Sequence, residues 1–194
     1  MNRRAEVREQ RHAAILTAAA AIIADRGYHS TRLEDIGQAV GISGPGLYRY
    51  VTGKEDLLGQ ILIDISVRLV AGAEAVVKRS EIEGWGSDQT MRELIDFHVN
   101  FAVTDPDRIR VQEREGRNLG DEARETVRSL QRKYLEMWID TLRSAQPGLN
   151  REDARIKVQL AAGLINSSRH TVRWAGPERV RRLATEMAAA GLGM

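Results

Sequence analysis

The sequence predicts an all-α protein, and three observations carry that expectation. Apolar residues recur every three or four positions almost throughout, as in Ile15, Ala19, Ile22 and Ile23, or Leu58, Ile61, Leu62, Ile65 and Leu69. Tyr134, Met137, Trp138 and Leu142 form a third such stripe, and Ile156, Leu160, Leu164 and Ile165 a fourth. Strand-like alternation of β-branched with polar residues is scarce. Only four prolines, at 45, 106, 147 and 177, interrupt the 194 residues.

Helix boundaries follow from capping chemistry. Thr31 precedes Glu34 by three residues and Thr52 precedes Glu55 likewise, so each pair reads as a capping box opening a helix. Asp105 before Pro106 and Gly176 before Pro177 put a cap ahead of a first-turn proline, where the missing N–H removes no hydrogen bond. Asn150, with Glu152 and Asp153 behind it, opens another helix with acids at its positive end. Gly27, Gly41, Gly120, Pro147 with Gly148, and Gly191 mark stops. These signals give about nine helices. The stretch 80–88 (SEIEGWGSD) reads as a loop, and 150–174 as one continuous helix. All three tryptophans and both phenylalanines lie beyond residue 80, whereas the first fifty residues pack with aliphatics and tyrosines. The expected organisation is therefore a small three-helix module over 1–52 and a larger helical body over 53–194.

Composition narrows the function. Hydrophobic residues are 42% and charged residues 29%, enough apolar surface for a genuine core. Cysteine is absent, which excludes a disulfide framework, a thiol nucleophile and any thiolate zinc site, and fits a reducing cytoplasm. No apolar run of about eighteen residues exists to span a membrane, and the first ten residues lack the pattern of a secretory signal. The motifs of serine hydrolases, zinc proteases and P-loop enzymes are missing. The four histidines (His12, His29, His98, His170) show no tight metal spacing. The expectation is a cytoplasmic protein that is no enzyme and needs no metal or cofactor.

The informative segment is 31–54. A helix over 31–40 and another over 43–50 are separated only by Gly41 and Ile42, the tight corner of a helix-turn-helix. Ser43, Gly44, Pro45 and Gly46 leave little side chain at the start of the second helix, so its amides can approach a phosphate. Tyr48, Arg49 and Tyr50 follow with tips suited to phosphates or base edges. Lys54 places a cation in the first turn of the next helix, which makes sense if a phosphate sits there.

Residues 15–58 (ILTAAAAIIADRGYHSTRLEDIGQAVGISGPGLYRYVTGKEDLL) resemble the N-terminal domain of the TetR/AcrR family of transcriptional regulators. The resemblance lies in RGYHST, in DIGQAVGIS, in the Leu47–Tyr48 pair and in TGKEDLL. Val51 departs from the usual aromatic, a milder packing choice, and Gly46 removes one side-chain contact. The resemblance implies a repressor that binds a pseudo-palindromic duplex operator. It assigns the principal DNA contacts to Thr31, Ser43, Tyr48, Tyr50 and Lys54, with Arg32 and Gly44 nearby. Arg3 and Arg4, with Arg8 and Arg11, are expected to form an arm along the phosphates or into an adjacent minor groove. Through Gln60 there are eight basic and seven acidic residues, so affinity must come from placement and from two copies.

A short helix reads few base pairs, and two-fold dimers solve this by reading two half-sites. Leu160, Gly163 and Leu164, together with Val180, Leu183 and Met187, are the expected dimer face, by resemblance a four-helix interface. The body after residue 80 is expected to take a mostly apolar effector, lined by Trp85, Phe97, Phe101, Arg110, Trp138, Asn166 and His170. The runs IRVQEREGRNL and GLINSSRHTVRW resemble regulators of fatty-acid or sterol breakdown that sense acyl-CoA thioesters. The alternative is a helical adaptor on the same scaffold that acts through protein partners without sequence-specific DNA binding.

Overall fold

A computed structural model describes residues 3–194. Among them are ten α-helices, two short 3-10 turns and no strand. The helices are α1 (Arg3–Arg26), α2 (Leu33–Ala39), α3 (Gly44–Leu47), α4 (Lys54–Glu83), α5 (Ser87–Thr104) and α6 (Pro106–Glu115). After them come α7 (Asp121–Ala145), α8 (Arg151–Ser167), α9 (Val172–Ala175) and α10 (Pro177–Leu192). No helix among the described residues is long and apolar enough to cross a membrane.

Packing groups the chain into two compact units, one of residues 1–65 with 110–127 and one of 66–109 with 128–194. The sequence suggested a boundary after residue 52, whereas compactness carries the first unit on to residue 65. The first unit keeps the opening turns of α4 and recruits a distant segment around the α6–α7 turn.

In the first unit, Ile15, Ala19 and Ile23 of α1, Ile36 of α2 and Leu47 of α3 are fully buried. Leu57, Leu58 and Ile61 of α4 are buried with equal completeness. Each such isoleucine or leucine contributes on the order of 1.5–3 kcal/mol by leaving water, which is how a four-residue α3 persists despite its glycines. Val51 is 2% exposed, a core residue as its aliphatic character implies. The α6–α7 segment is fastened locally: Asn118 Nδ2 donates to Glu115 at 2.8 Å, and Arg124 closes on Asp121 at 2.8 Å.

In the second unit, α10 packs against α5 and α8, and α5 packs against α8. Met91, Leu94, Ile95 and Val99 of α5, Trp138 and Leu142 of α7, and Ala154, Val158 and Ile165 of α8 supply the core. Asn150 caps α8 as expected, its Oδ1 accepting from the Asp153 amide at 2.8 Å. Pro177 starts α10 after Gly176, whose φ of 81° suits glycine.

Several boundary expectations need correction. Thr31 forms no capping box with Glu34: α2 begins at Leu33 with Arg32 at the cap, and the Thr31 hydroxyl donates back to the Gly27 carbonyl at 2.9 Å. Thr52 pairs with Asp56 rather than Glu55, because α4 starts at Lys54 and the carboxylate in reach lies one residue further on. The loop expected over 80–88 shrinks to Gly84–Gly86, since helix-forming Glu81 and Glu83 extend α4. The helix expected over 150–174 breaks after Ser167 into a 3-10 turn and α9. Arg3, Arg4, Arg8 and Arg11 lie in the opening turns of α1, so the expected arm is helical.

Candidate functional site

The corner between α2 and α3 is built by local chemistry. Gly41 takes a φ of 68°, and the Ile42 amide turns back to the Gly37 carbonyl at 2.9 Å. A Cβ on Gly37 would stand 2.9 Å from the Ile42 carbonyl oxygen, so this position needs glycine for close backbone approach. Ser43 then caps α3, its Oγ accepting from the Gly46 amide at 3.3 Å. Tyr48 follows, 57% exposed, and Arg49, Arg32 and Ser43 are exposed as well.

Thr31 and Lys54 have structural work to do. Thr31 is 1% exposed. The Lys54 ammonium donates to the carbonyls of His29 (3.2 Å) and Thr31 (3.1 Å) and lies 4.6 Å from the Tyr28 ring centroid. Those carbonyls and that π-face supply the negative potential that the cation at a helix N-terminus lacks. Its position is therefore explained without a phosphate, although one of its three N–H groups remains. Burial, reinforced by the Glu55 carboxylate, raises the Tyr28 pKa, so that ring keeps its proton.

Tyr50 is half-buried and stacks on His12 of α1, with centroids 6.1 Å apart and planes within 13°. His12 Nε2 bonds Gln60 Oε1 at 2.6 Å, and Gln60 Nε2 donates to the Tyr50 carbonyl (3.1 Å) and to Asp56 (3.0 Å). Burial alone would raise the Asp56 pKa, but bonds from the Thr52 amide, Gln60 and the Thr52 hydroxyl hold it low. This network joins α1, the end of the reading segment and α4. Sequence reasoning missed His12 and Gln60, since only the Asp56–Gln60 spacing of four was visible. Arg11 Nη1 donates to the Val40 carbonyl at 3.1 Å and satisfies the C-terminus of α2.

Four of the six expected dimer residues (Leu164, Val180, Leu183, Met187) line one groove of about 390 Å³ in the second unit. Leu160 stands on the same helix as Leu164 at 69% exposure, Met187 is 56% and Leu183 39% exposed, while Val180 is buried. Gly163 is exposed with open space around it. Trp174, 77% exposed, lines the same groove from α9, a placement that spacing alone does not signal because the chain breaks after Ser167.

The expected effector lining does not converge on one place. Phe97 and Phe101 meet with centroids 6.5 Å apart, and Phe97 lies against Gly72. Trp138 and Asn166 join a second cluster around His98, which bonds Asn166 Oδ1 at 3.1 Å. The His98 ring meets those of Tyr134 and Trp138 edge-on, at 5.6 and 5.8 Å. Burial lowers the His98 pKa to about 4, so the ring is neutral near pH 7, and burial raises that of Tyr134. Among the described residues, His98 Nδ1 and the Ser168 hydroxyl are buried without a hydrogen-bond partner. Trp85 packs under Arg79, whose guanidinium is 4.9 Å from its ring, and His170 is exposed. Arg110 belongs to the first unit, where it donates to the Ala24 carbonyl at 3.4 Å.

Comparison with known proteins agrees with this geometry. Residues 15–61 match the pattern of bacterial regulatory proteins of the tetR family, and residues 85–194 match the tetracyclin repressor-like C-terminal domain. Over 170 residues the chain is 26% identical to the HTH-type transcriptional repressor KstR2 of Rhodococcus jostii, covering 86% of this chain and 80% of that one. The fatty acid metabolism regulator protein of Bacillus subtilis is 24% identical over 157 residues, 79% of each chain. The transcriptional activator FasR of Mycolicibacterium smegmatis matches at 26% over half of this chain, which spans only 43% of its length. Among solved structures, a tetR-family regulator from Rhodococcus RHA1 superimposes with a TM-score of 0.78 at 16% identity, covering 94% and 96% of the two chains. FadR of Bacillus subtilis in complex with stearoyl-CoA gives 0.70 at 21% identity, covering 92% and 97%. AibR in complex with isovaleryl coenzyme A and operator DNA gives 0.71 at 22%, covering 91% and 97%. With one family pattern over the helix-turn-helix and another over more than half of the sequence, the chain belongs to the tetR family of bacterial regulatory proteins.

Proposed function

We propose that this chain is a cytoplasmic transcriptional repressor that binds a pseudo-palindromic operator as a homodimer and is released by an acyl-CoA thioester. The helix-turn-helix corner carries the reading: Gly37, Gly41 and the Ser43 cap hold a short helix whose far end presents Tyr48 and Arg49 to solvent. Tyr48, Arg32, Ser43 and the backbone at Gly44 make the direct contacts, and Arg3 and Arg4 reach phosphates from the start of α1. Thr31, Tyr50 and Lys54 act mainly by fixing the turn and the reading segment, with the remaining Lys54 N–H directed to a phosphate. Functionally, residues 1–52 read DNA and 53–194 serve effector binding and pairing. Leu160, Gly163, Leu164, Val180, Leu183 and Met187, with Trp174, form the two-fold contact.

The effector class is supported by a relative named for fatty acid metabolism and by structural neighbours bearing stearoyl-CoA and isovaleryl coenzyme A. The effector shifts the spacing of the paired reading heads by binding one arrangement better than the other. Its lining includes Phe97, Phe101, Trp138 and Asn166, with Trp85, Arg110 and His170 as outlying candidates. The test is selection of genomic fragments on the purified protein, followed by titration of acyl-CoAs of graded chain length into the bound complex. One enriched fragment with inverted half-sites, released by a restricted range of chain lengths, is expected. Failure to enrich any fragment contradicts the repressor, and absence of release at every chain length removes the thioester.

A further inference from the structure

The second unit carries a groove between α7 and α8 with a volume of about 280 Å³. Arg128, Arg132, Leu135, Glu136 and Ile139 line it from α7, and Arg155 from α8. Positions 128, 132, 135 and 139 share one helix face, so two guanidiniums are stacked a turn apart above two aliphatic side chains. Like charges at this spacing repel. Among the described residues, Arg128, Arg132 and Arg155 make no ion pair and no side-chain hydrogen bond, and all three are exposed. The acid in the groove, Glu136, is engaged by Arg151, which also bonds Asp140 at 3.1 Å. Some exposed arginines elsewhere are paired, as in Arg79–Glu83 and Arg182–Glu186.

We propose that the α7–α8 groove binds the diphosphate of a phosphorylated head group. A guanidinium presents a planar fork of donors that matches phosphate oxygens in bidentate fashion. Three of them suit an anion of two or more charges better than a single carboxylate. Leu135 and Ile139 exclude water beneath them, which strengthens the pairing. The volume lies at the small end of ligand sites, enough for a head group and not for a long acyl chain as well. A concave site with an aliphatic floor fits a small anion, since a duplex backbone would leave Leu135 and Ile139 unused. For the ligand's identity the proposal rests on the thioester reading above, because coenzyme A carries such a diphosphate. A free nucleoside diphosphate offers the same chemistry.

The test is calorimetric titration of the full chain with coenzyme A, ADP, inorganic pyrophosphate and phosphate-free pantetheine, at low and high salt. The phosphate-bearing probes are expected to bind, more weakly as salt rises, and pantetheine is not. The pair R128Q/R132Q and the single R155Q should each weaken binding about tenfold or more at unchanged helix content, whereas K78Q should not. Preference for coenzyme A over ADP assigns the site to the thioester, and equal binding assigns it to a free nucleotide. The proposal is overturned if no phosphate-bearing probe binds at millimolar concentration, or if the triple arginine variant binds like the parent. It is also overturned if the variants change only duplex affinity or oligomeric state. Pyrophosphate binding without acyl-CoA release of DNA leaves the groove standing and removes the thioester. Undiminished acyl-CoA release in the triple variant does the reverse.

Discussion

His98 illustrates what a single buried side chain does to the whole fold. Its pKa falls from 6.5 to about 4 because burial disfavours the cation, with the Asn166 bond opposing only in part. The unfolded chain therefore takes up a proton near pH 6.5 that the folded chain refuses until about pH 4. Stability is full above that window and falls as the solution is acidified through it, by about 2 kcal/mol at pH 5. Urea unfolding at pH 7.5 and 5 checks this: H98Q should lose the part of the acid sensitivity that the histidine supplies, and an unchanged pH dependence would contradict it. Tyr48 and Lys54 separate reading from holding. Y48A, at an exposed position, should leave the unfolding midpoint within about 0.5 kcal/mol and weaken operator binding by about 1–3 kcal/mol. K54M removes two hydrogen bonds and the contact with Tyr28, so a loss of about 1–2 kcal/mol in urea unfolding is expected. The exposed tyrosine was legible in the sequence; the clamp was not, because the spacing of 25 residues between His29 and Lys54 carries no local signal.

At the scale of elements, the stripes and stops announced the helices because burial and capping are local rules. Ile15, Ile23 and Ile36 are buried as their periodicity requires, and Asn150 and Ser43 cap as their chemistry suggests. The failures are equally physical. Thr31 competes for a carbonyl in the preceding turn, and Thr52 finds Asp56 before Glu55. Gly37 carried no signal of its own, since its requirement arises only when the Ile42 carbonyl folds back on it. Substituting it tests the corner directly: G37A should destabilise the chain by about 1–3 kcal/mol, read by urea unfolding, because backbone and not a pliable side chain must give way. Operator binding should weaken in parallel. A neutral G37A would mean that the α2–α3 corner is looser than its geometry implies.

For the molecule as a whole, the periodic apolar pattern predicted an all-α fold and the resemblance over 15–58 predicted its family, both now established. The effector lining was less legible, because which helix faces converge depends on packing among α5, α7 and α8 that no spacing encodes. Trp138 and Asn166 fall together around His98, while Arg110 is drawn off to Ala24. Pairing is the property on which discrimination of a long site depends, and the exposed Leu160, Leu183, Met187 and Trp174 make it testable. The most direct measurement is binding of an operator with two inverted half-sites, set against sedimentation of the same samples, for the parent chain and for L160E/M187E. Two subunits per duplex are predicted for the parent, and a folded monomer that has lost at least a hundredfold in operator affinity for the variant. A parent chain that sediments as a monomer while still binding one half-site as tightly as two would contradict the account.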